Sequence, residues 1–247
     1  MEKIKFLTAS WKNLVMLNYE VDPEILKPYL PAATELDYWQ GKALVSMVGF
    51  LFHDTRVMGV KWPGYVNFEE VNLRFYVRHF NGTEWKRGTV FISEIVPKRM
   101  IPLIANTLYK EHYVRMPMRH SIAKPDDANT QYLYEWKLKG RWNKLGATVN
   151  NNFLAMQPGS AEEFILEHYW GYNRLSDTSS MEYGVEHVSW KVGAVSNYVF
   201  DADVKALYGE TFAPYLSVEP YSAFFAEGSE IVVRSATKMR IGPALQE

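Results

Sequence analysis

Three polar side chains alternate along one short segment of the sequence, and their chemical types suit the binding of a small polar molecule. Glu70, Asn72 and Arg74 stand at positions i, i+2 and i+4. In a β-strand these side chains share one face and lie roughly 6.5 Å apart, because successive side chains point to opposite faces. If that face lines a cavity, a carboxylate, an amide and a guanidinium converge on one ligand. If it faces solvent, the pattern is a strand surface with an ion pair across it.

Each member of this face has an expected role in a ligand site. Arg74 is expected to hold a charged group, and Arg56 in the preceding segment is expected to cover the same opening. Asn72 is expected to orient the ligand, and Glu70 to act as a hydrogen-bond acceptor or a general base. Burial raises the pKa of a carboxyl group and a nearby guanidinium lowers it, so the depth of the site decides the protonation of Glu70.

The surrounding sequence predicts the strands that must position these side chains. The alternate positions from Val71 to Val77 are apolar, as expected for a strand with one face on a core. Asn81-Gly82 predicts a type I′ hairpin, because that turn needs positive φ at both positions. The return strand is expected over about residues 84–95. Further strands are expected at about 42–53, 131–138, 144–153, 181–192, 194–200 and 223–233.

Helices are fewer and shorter in this prediction. The capping box Ser160–Glu163 opens a helix that is expected to run to about residue 169, and Asp22-Pro23 begins a shorter one. His168 is expected to pack at the end of the longer helix, with Gly171 as its left-handed cap. Further helices are expected at about 97–108 and 201–208.

Strands joined by hairpins, with helices interspersed rather than alternating, predict an α+β fold. The sheet is expected to be mainly antiparallel and closed into a barrel or cone, with a few short helices. No linker-like tract divides the sequence, so residues 1–247 are expected to form a single domain.

Composition narrows the classes of function. The chain has 0 Cys, which excludes thiol catalysis, and its 27 basic and 28 acidic residues favour neither nucleic acid nor an anionic membrane. Phosphate-loop, dinucleotide-binding and nucleophile-elbow motifs are absent, and the six histidines offer no metal-binding spacing. We therefore expect a cytoplasmic protein with no cofactor, no metal, no nucleic-acid partner and no membrane partner.

Three parts of the sequence resemble the bacterial domain-of-unknown-function 2071 family, which is grouped with acetoacetate decarboxylase-like proteins. They are Trp11 with Val21-Asp22-Pro23 and Leu30-Pro31, Thr55 to Gly59 with Phe68 to Val77, and His168 to Tyr172 with Ser222 to Ser229. The resemblance implies an acetoacetate decarboxylase-like β-barrel or cone with a funnel-shaped central cavity. It also implies homo-oligomers as one form of the protein.

The same resemblance implies catalytic candidates. Acetoacetate decarboxylases carry an aromatic-x-Glu-Val strand that Phe68 to Val71 matches, which places Glu70 at their active-site carboxylate. Their Schiff-base lysine lies in a Gly-aromatic-Pro-Lys-Lys segment, whereas Leu108 to Met116 has no Gly, no Pro and no Lys pair. In this alignment Tyr113 falls near the position of the lysine, and it is expected to donate a hydrogen bond from the opposite wall.

Two other titratable residues are candidates for the site. Lys110 is disfavoured as a nucleophile, because a Schiff-base amine needs a pKa about three units below its usual value of about 10.4, and the adjacent Glu111 would raise it. His187 lies in an alternating strand among aromatic residues. It is either a core histidine or a group that contacts the ligand.

Three functions remain open at this level. The first is a pocket that binds a small organic acid or carbonyl compound. The second is a lyase or decarboxylase-type enzyme that acts on a keto acid, with Glu70 as acid or base and no covalent lysine. The third is a structural or interaction protein in which aromatic strands form an oligomer interface.

Overall fold

The computed structural model describes residues 4–99, 101–102 and 111–240. These residues form mostly β-sheet with few helices: a 3₁₀ helix (Pro23–Tyr29), α1 (Ala161–Leu166), α2 (Val204–Tyr208) and α3 (Ala213–Leu216). The strands are β1 (Lys5–Val21), β2 (Glu35–Leu36), β3 (Ala43–Val57), β4 (Phe68–Phe80), β5 (Trp85–Val96), β6 (Tyr113–Arg115), β7 (Met118–Ala123), β8 (Asn129–Leu138), β9 (Arg141–Asn150), β10 (Leu154–Ala155), β11 (Trp170–Ser176), β12 (Ser179–Glu186), β13 (Lys191–Asp201), β14 (Ser222–Arg234) and β15 (Thr237–Arg240).

The strands pair in the order β12–β11–β5–β4–β3–β1–β14, and β14 pairs again with β12 through Val185 and Val233. The path of pairings therefore returns to its starting strand. From β14 the sheet also continues through β13, β9 and β8 to β7. Neighbours along this path are antiparallel except for β11 beside β5, and β6 adds to β5 in parallel.

The hairpin between β4 and β5 forms where the sequence predicts it, with Phe80 opposite Trp85. The turn differs from the predicted type I′, because only Gly82 has positive φ (95°) and the loop spans four residues. The side chain of Asn81 closes it by accepting hydrogen bonds from the backbone N–H groups of Thr83 and Glu84, both at 2.9 Å. The turn thus uses asparagine as a side-chain acceptor rather than as a left-handed residue.

The two faces of β4 are buried in different surroundings. Val71, Leu73 and Phe75 are fully buried in the larger apolar cluster, together with aromatic side chains of β8 and β14. Glu70 and Asn72 on the other face are also buried, at 2% and 1% exposure. The period-two alternation of this strand therefore separates a hydrocarbon core from a buried polar surface.

The longest strand of the described residues, β1, was not predicted from the sequence. Its second half lies between the neighbouring strands β3 and β14 and is buried on both faces, so Leu14 to Leu17 form an unbroken apolar run. A register shift against β3 falls between Lys12 and Val15, beside Asn13 with its φ of 59°. This bulge breaks the alternation from which the strand could have been found.

The helix that follows the predicted capping box begins as expected and ends early. Ser160 accepts a hydrogen bond from the backbone N–H of Glu163 at 3.2 Å, but α1 stops at Leu166. The prediction that Gly171 is a left-handed cap is wrong, because this residue lies inside β11. The predicted helix near 97–108 lies largely outside the described residues. None of the helices in the described part of the chain has the length and apolar character needed to cross a membrane.

Candidate functional site

The polar face of β4 lines a cavity of about 120 Å³. Glu70, Asn72 and Arg74 all reach it, as do the predicted residues Tyr113 and His187. Such a volume accommodates several water molecules or a small organic molecule. The remaining walls are mostly apolar and include Trp11, Leu14, Phe50, Phe52, Phe91, Ile165, Leu166, Val185, Trp190 and Val233.

Glu70 is held by two hydrogen-bond donors. The side-chain amide of Asn72 donates to one carboxyl oxygen at 2.9 Å, and the hydroxyl of Tyr113 donates to the other at 3.1 Å. Burial raises the pKa of Glu70 more than these two bonds and the charge of Arg74 lower it, and the result is a pKa of about 7. A carboxyl group in this state exchanges a proton near neutral pH, which is what a general acid or base requires.

Arg74 places a positive charge in the cavity, and this residue has 7% exposure. Its Nε has no hydrogen-bond partner among the described residues, and the same holds for Oδ1 of Asn72. Buried polar atoms of folded proteins are nearly always hydrogen-bonded, and each one left without a partner costs about 1–3 kcal/mol. A free donor and a free acceptor therefore lie two residues apart on one buried face.

Two further glutamates line the cavity and were missed as site residues from the sequence. Glu94 on β5 lies directly opposite Asn72, and Glu111 precedes β6, which pairs with the same strand. Burial raises the pKa of both carboxyl groups, and the charge of Glu111 raises that of Glu94 further. The hydrogen bond that Tyr183 donates to Glu111 at 2.5 Å acts in the opposite direction. The predicted hairpin brings Glu94 to the same part of β5 as Asn72 on β4. A register shift between the two strands means that counting from the turn does not predict that these two residues lie opposite each other.

His168 is a cavity residue rather than helix-end packing. Its Nε2 lies 3.2 Å from Oδ2 of Asp37, which also accepts a 2.6 Å hydrogen bond from Arg87. Burial lowers the pKa of His168 to about 4, against the raising effect of the Asp37 contact. The pKa of Asp37 is raised by burial, but its hydrogen bonds with His168 and Arg87 outweigh this and leave it below the usual value.

These protonation states define the tautomer of His168. The ionised Asp37 accepts from Nε2–H of the neutral ring, which leaves Nδ1 as a bare acceptor. Nδ1 is buried and has no hydrogen-bond partner among the residues that the structure describes. No local pattern identified this group, because Asp37 and His168 are 131 positions apart.

Gly171 has a packing role beside the site. A Cβ atom on this residue would lie 2.1 Å from the ring of Tyr183, far inside any real contact. The glycine therefore lets the Tyr183 ring lie against β11, from where its hydroxyl reaches Glu111. Only a residue without a side chain leaves room for that ring.

His187 belongs to an aromatic wall of the cavity. Its ring stacks on Trp190 with centroids 4.2 Å apart, and Trp190 packs edge-on against Trp11. Burial lowers the pKa of His187, and Nδ1 lies 2.8 Å from the backbone carbonyl oxygen of Val188. The histidine thus faces the cavity as part of a mainly aromatic surface.

Two candidates from the sequence remain to be located, Arg56 and Lys110. Arg56 lies on the surface, where its Nη2 forms an ion pair with Asp54 at 3.2 Å. Arg56 is therefore not among the residues that line the cavity, because the carboxylate of Asp54 holds its guanidinium at the surface. Lys110 lies outside the described residues. Within the described ranges, no group of three His, Asp or Glu is arranged to hold a metal ion.

Several solved structures are similar in fold to this chain, and they are acetoacetate decarboxylases or resemble them in structure. The enduracididine biosynthesis enzyme MppR complexed with pyruvate matches with a TM-score of 0.64 and 14% identity, over 96% of this chain and 91% of that chain. An acetoacetate decarboxylase-like enzyme from Sphingomonas wittichii RW1 gives 0.63 and 15%, over 96% and 94%. Acetoacetate decarboxylase from Legionella pneumophila gives 0.61 and 12%, over 98% and 89%. The chain has an acetoacetate decarboxylase-like fold.

A sequence family contains this chain as well. The model of DUF2071, described as an uncharacterized conserved protein, matches residues 8–230, and the chain belongs to this family. The protein YqjF of Bacillus subtilis (strain 168) is 30% identical over 117 residues, which is 47% of this chain. The match spans about half the length of that curated relative, 47%. The resemblance stated from the sequence is confirmed.

Proposed function

We propose that the cavity binds a small organic acid or carbonyl compound. The observation that carries this proposal is the buried guanidinium of Arg74, whose Nε has no protein partner in the described residues. A buried cation favours an anionic or strongly polar acceptor, because the two charges compensate each other's desolvation. The apolar walls suit the carbon skeleton of such a ligand.

Two further findings support a ligand of this kind. MppR, which shares the fold, has been solved with pyruvate, a small keto acid. The strand path that returns from β14 to β12 also supports the barrel or cone that the family resemblance implies, with the cavity at its centre. A single domain over residues 1–247 is part of the same proposal.

A second candidate is a lyase or decarboxylase-type reaction on a keto acid, and the pKa of about 7 at Glu70 favours it. A carboxyl group with this pKa takes up or releases a proton at neutral pH. In this reaction the Arg74 guanidinium would hold the substrate carboxylate, and the hydroxyl of Tyr113 would keep the carboxyl of Glu70 in place. The segment from Leu108 to Met116 lacks the Gly, Pro and Lys pair of the decarboxylases, so no covalent lysine is invoked.

The binding proposal is tested by isothermal titration with small carboxylates and oxo acids, on wild type and on Arg74→Met. Wild type is expected to bind at least one of them, and Arg74→Met is expected to lose about tenfold or more in affinity. Arg56→Met is the matched control, since it removes an arginine that lies on the surface. Equal losses in both variants, or no binding by wild type, would contradict the proposal and favour a structural or interaction protein.

The enzyme candidate has its own test. Each keto acid that binds is incubated with the protein, with and without borohydride, and the products and the protein mass are measured. Turnover that Glu70→Gln reduces by about 10²-fold or more, with no mass adduct on the protein, is the expected result. A borohydride-trapped adduct on lysine would contradict the non-covalent mechanism, and absence of turnover would leave binding as the function.

A further inference from the structure

We propose that the ligand is a small amino acid, with its carboxylate on Arg74 and its adjacent ammonium group on Asn72 and His168. This inference rests on the proposed function, since it names the chemical class of the acid. It adds a requirement that a keto acid does not meet, namely hydrogen-bond donors beside the carboxylate. Its basis is the number and direction of the polar atoms that face the cavity.

The amide of Asn72 is oriented by its neighbour. Its Nδ2 donates to Glu70 at 2.9 Å, so the amide oxygen is turned away from that carboxylate. In the ionised form of Glu70, which a neighbouring ammonium group favours, flipping the amide would place two acceptors against each other, since a carboxylate only accepts. Oδ1 of Asn72 is therefore a fixed acceptor with no protein partner in the described chain, on a side chain with 1% exposure.

The imidazole of His168 is oriented in the same manner from another element. Asp37 binds Nε2, and the ring lies between Tyr76 and Phe164 with centroid distances of 4.7 and 5.3 Å. Rotation of the ring would break the Asp37 contact, which leaves Nδ1 as the second fixed acceptor of the cavity. Asn72 and His168 thus each present an acceptor atom to the ligand, because Glu70 and Asp37 bind the donor atom of each side chain.

Arg74 lies close to both acceptors. It is two residues from Asn72 on the same strand face, and its guanidinium carbon lies 5.9 Å from the centre of the Tyr76 ring, which in turn packs against the ring of His168 at 4.7 Å. A ligand on the Arg74 guanidinium therefore meets the two acceptors with the atoms next to its carboxylate. The oxygen of a 2-keto acid is itself an acceptor at that position, so the two fixed acceptors would lose water without gaining a donor.

The charges around the cavity favour an ammonium over a hydroxyl group at this position. Glu70, Glu94 and Glu111 line the same cavity, against one buried arginine. An ammonium has three N–H donors and a positive charge, and it lowers the pKa of nearby carboxyl groups. Binding of an amino acid is therefore expected to release protons from the glutamates near pH 7, whereas a neutral hydroxyl has no such charge.

The test uses ligands that differ only at carbon 2. Alanine, lactate, pyruvate and propionate, with both enantiomers where they exist, are titrated by calorimetry, and so are their four-carbon homologues. One alanine or 2-aminobutyrate enantiomer is expected to bind at least about tenfold more tightly than the matching unsubstituted and keto acids. Titration in buffers of different ionisation enthalpy is expected to show proton release with the amino acid.

Substitutions test whether Nδ1 of His168 causes the preference for an amino acid. His168→Phe keeps an aromatic ring and is expected to remove the preference for the amino acid over propionate, while His79→Phe on the exposed end of β4 keeps it. If His168→Phe does not fold, the ¹⁵N shifts of the imidazole in wild type replace it. Free protein is expected to show Nε2–H with a bare Nδ1, and the amino acid is expected to shift Nδ1.

The outcomes separate this inference from the proposed function. Equal or tighter binding of pyruvate or propionate would overturn the amino acid and leave the organic-acid site in place. Tighter binding of lactate than of alanine would overturn the ammonium assignment, and so would an Nδ1 resonance unaffected by alanine. Failure of every compound in both series to bind would overturn the proposed function together with this inference.

Discussion

The two faces of β4 are almost equally buried, but burial has opposite effects on the stability of the fold for the two sets of side chains. On one face Val71, Leu73 and Phe75 have no measurable exposure and contact other hydrocarbon groups. On the other face Glu70, Asn72 and Arg74 are buried with bare polar atoms among them. Apolar burial stabilises the fold by about 1.5–3 kcal/mol for each large side chain, whereas buried polar atoms without partners destabilise it by similar amounts.

One face of β4 therefore stabilises the fold, and the other is the face proposed to bind a ligand. A strand needs only one apolar face to join the core, so the other face is free to hold groups that destabilise the folded state. Such groups persist where a ligand completes their hydrogen bonds, which is the role proposed for this cavity. Substitutions on the two faces should therefore change different properties of the protein.

The largest effect is expected on the apolar face. Phe75→Ala removes a fully buried ring from the larger core cluster and should lower the free energy of unfolding by about 4 kcal/mol. Phe80→Ala on the same strand is the control, because that ring is 49% exposed and should cost less than about 1 kcal/mol. Urea unfolding measures both. A small loss in Phe75→Ala would show that this face is not the structural one.

A smaller effect with the opposite sign is expected for Glu70→Gln. Glu70 has a folded-state pKa of about 7 against 4.5 ordinarily, so the folded protein holds its proton over a range where the unfolded chain releases it. The stabilising contribution of this proton is complete below pH 4.5 and is lost as the pH rises through 7. Glutamine cannot ionise.

Relative to wild type, Glu70→Gln should therefore gain about 3 kcal/mol of stability between pH 4 and pH 8. The measurement is urea unfolding of both proteins across this range, and the difference between the two curves is the quantity of interest. Because Glu94 and Glu111 titrate in the same cavity, each protein alone shows a broader pH dependence. A difference that stays constant with pH would contradict the raised pKa.

The smallest effect is expected for Tyr113→Phe, which removes one of the two donors to Glu70. A hydrogen bond to a charged group favours the charged form, so its loss should raise the pKa of Glu70 by about one unit. The carboxyl carbon resonance of Glu70, followed by NMR from pH 4 to pH 9, gives this value directly. An unchanged or lower pKa would show that Tyr113 does not stabilise the carboxylate.

The sequence predicted the polar face because β4 follows a clean period of two and ends in an Asn-Gly turn. It also predicted the helix start at Ser160, where the acceptor and its N–H donor are three residues apart. Both patterns are short-range, and the structure contains the strand and the helix start that they predict. The family resemblance supplied the fold and placed Tyr113 near the position of the decarboxylase lysine.

Other site features depend on distant parts of the chain. The contact between His168 and Asp37 joins residues 131 positions apart, and the position of Glu94 opposite Asn72 depends on the register of a bulged hairpin. Arg56 has the right residue type near the right strand, yet an adjacent Asp54 holds it in solvent. Pairings across a hundred residues or beyond a bulge leave no local periodicity, so sequence reasoning could not find them.

The polar face of β4 is proposed to bind a small acid within the cavity. A crystal structure of the protein with its tightest ligand from the C3 and C4 series tests this most directly. We expect the ligand carboxylate about 3 Å from Nε of Arg74, with the neighbouring substituent within hydrogen-bond distance of Oδ1 of Asn72. Ligand density elsewhere on the protein, with Arg74 and Asn72 contacting only water, would contradict it.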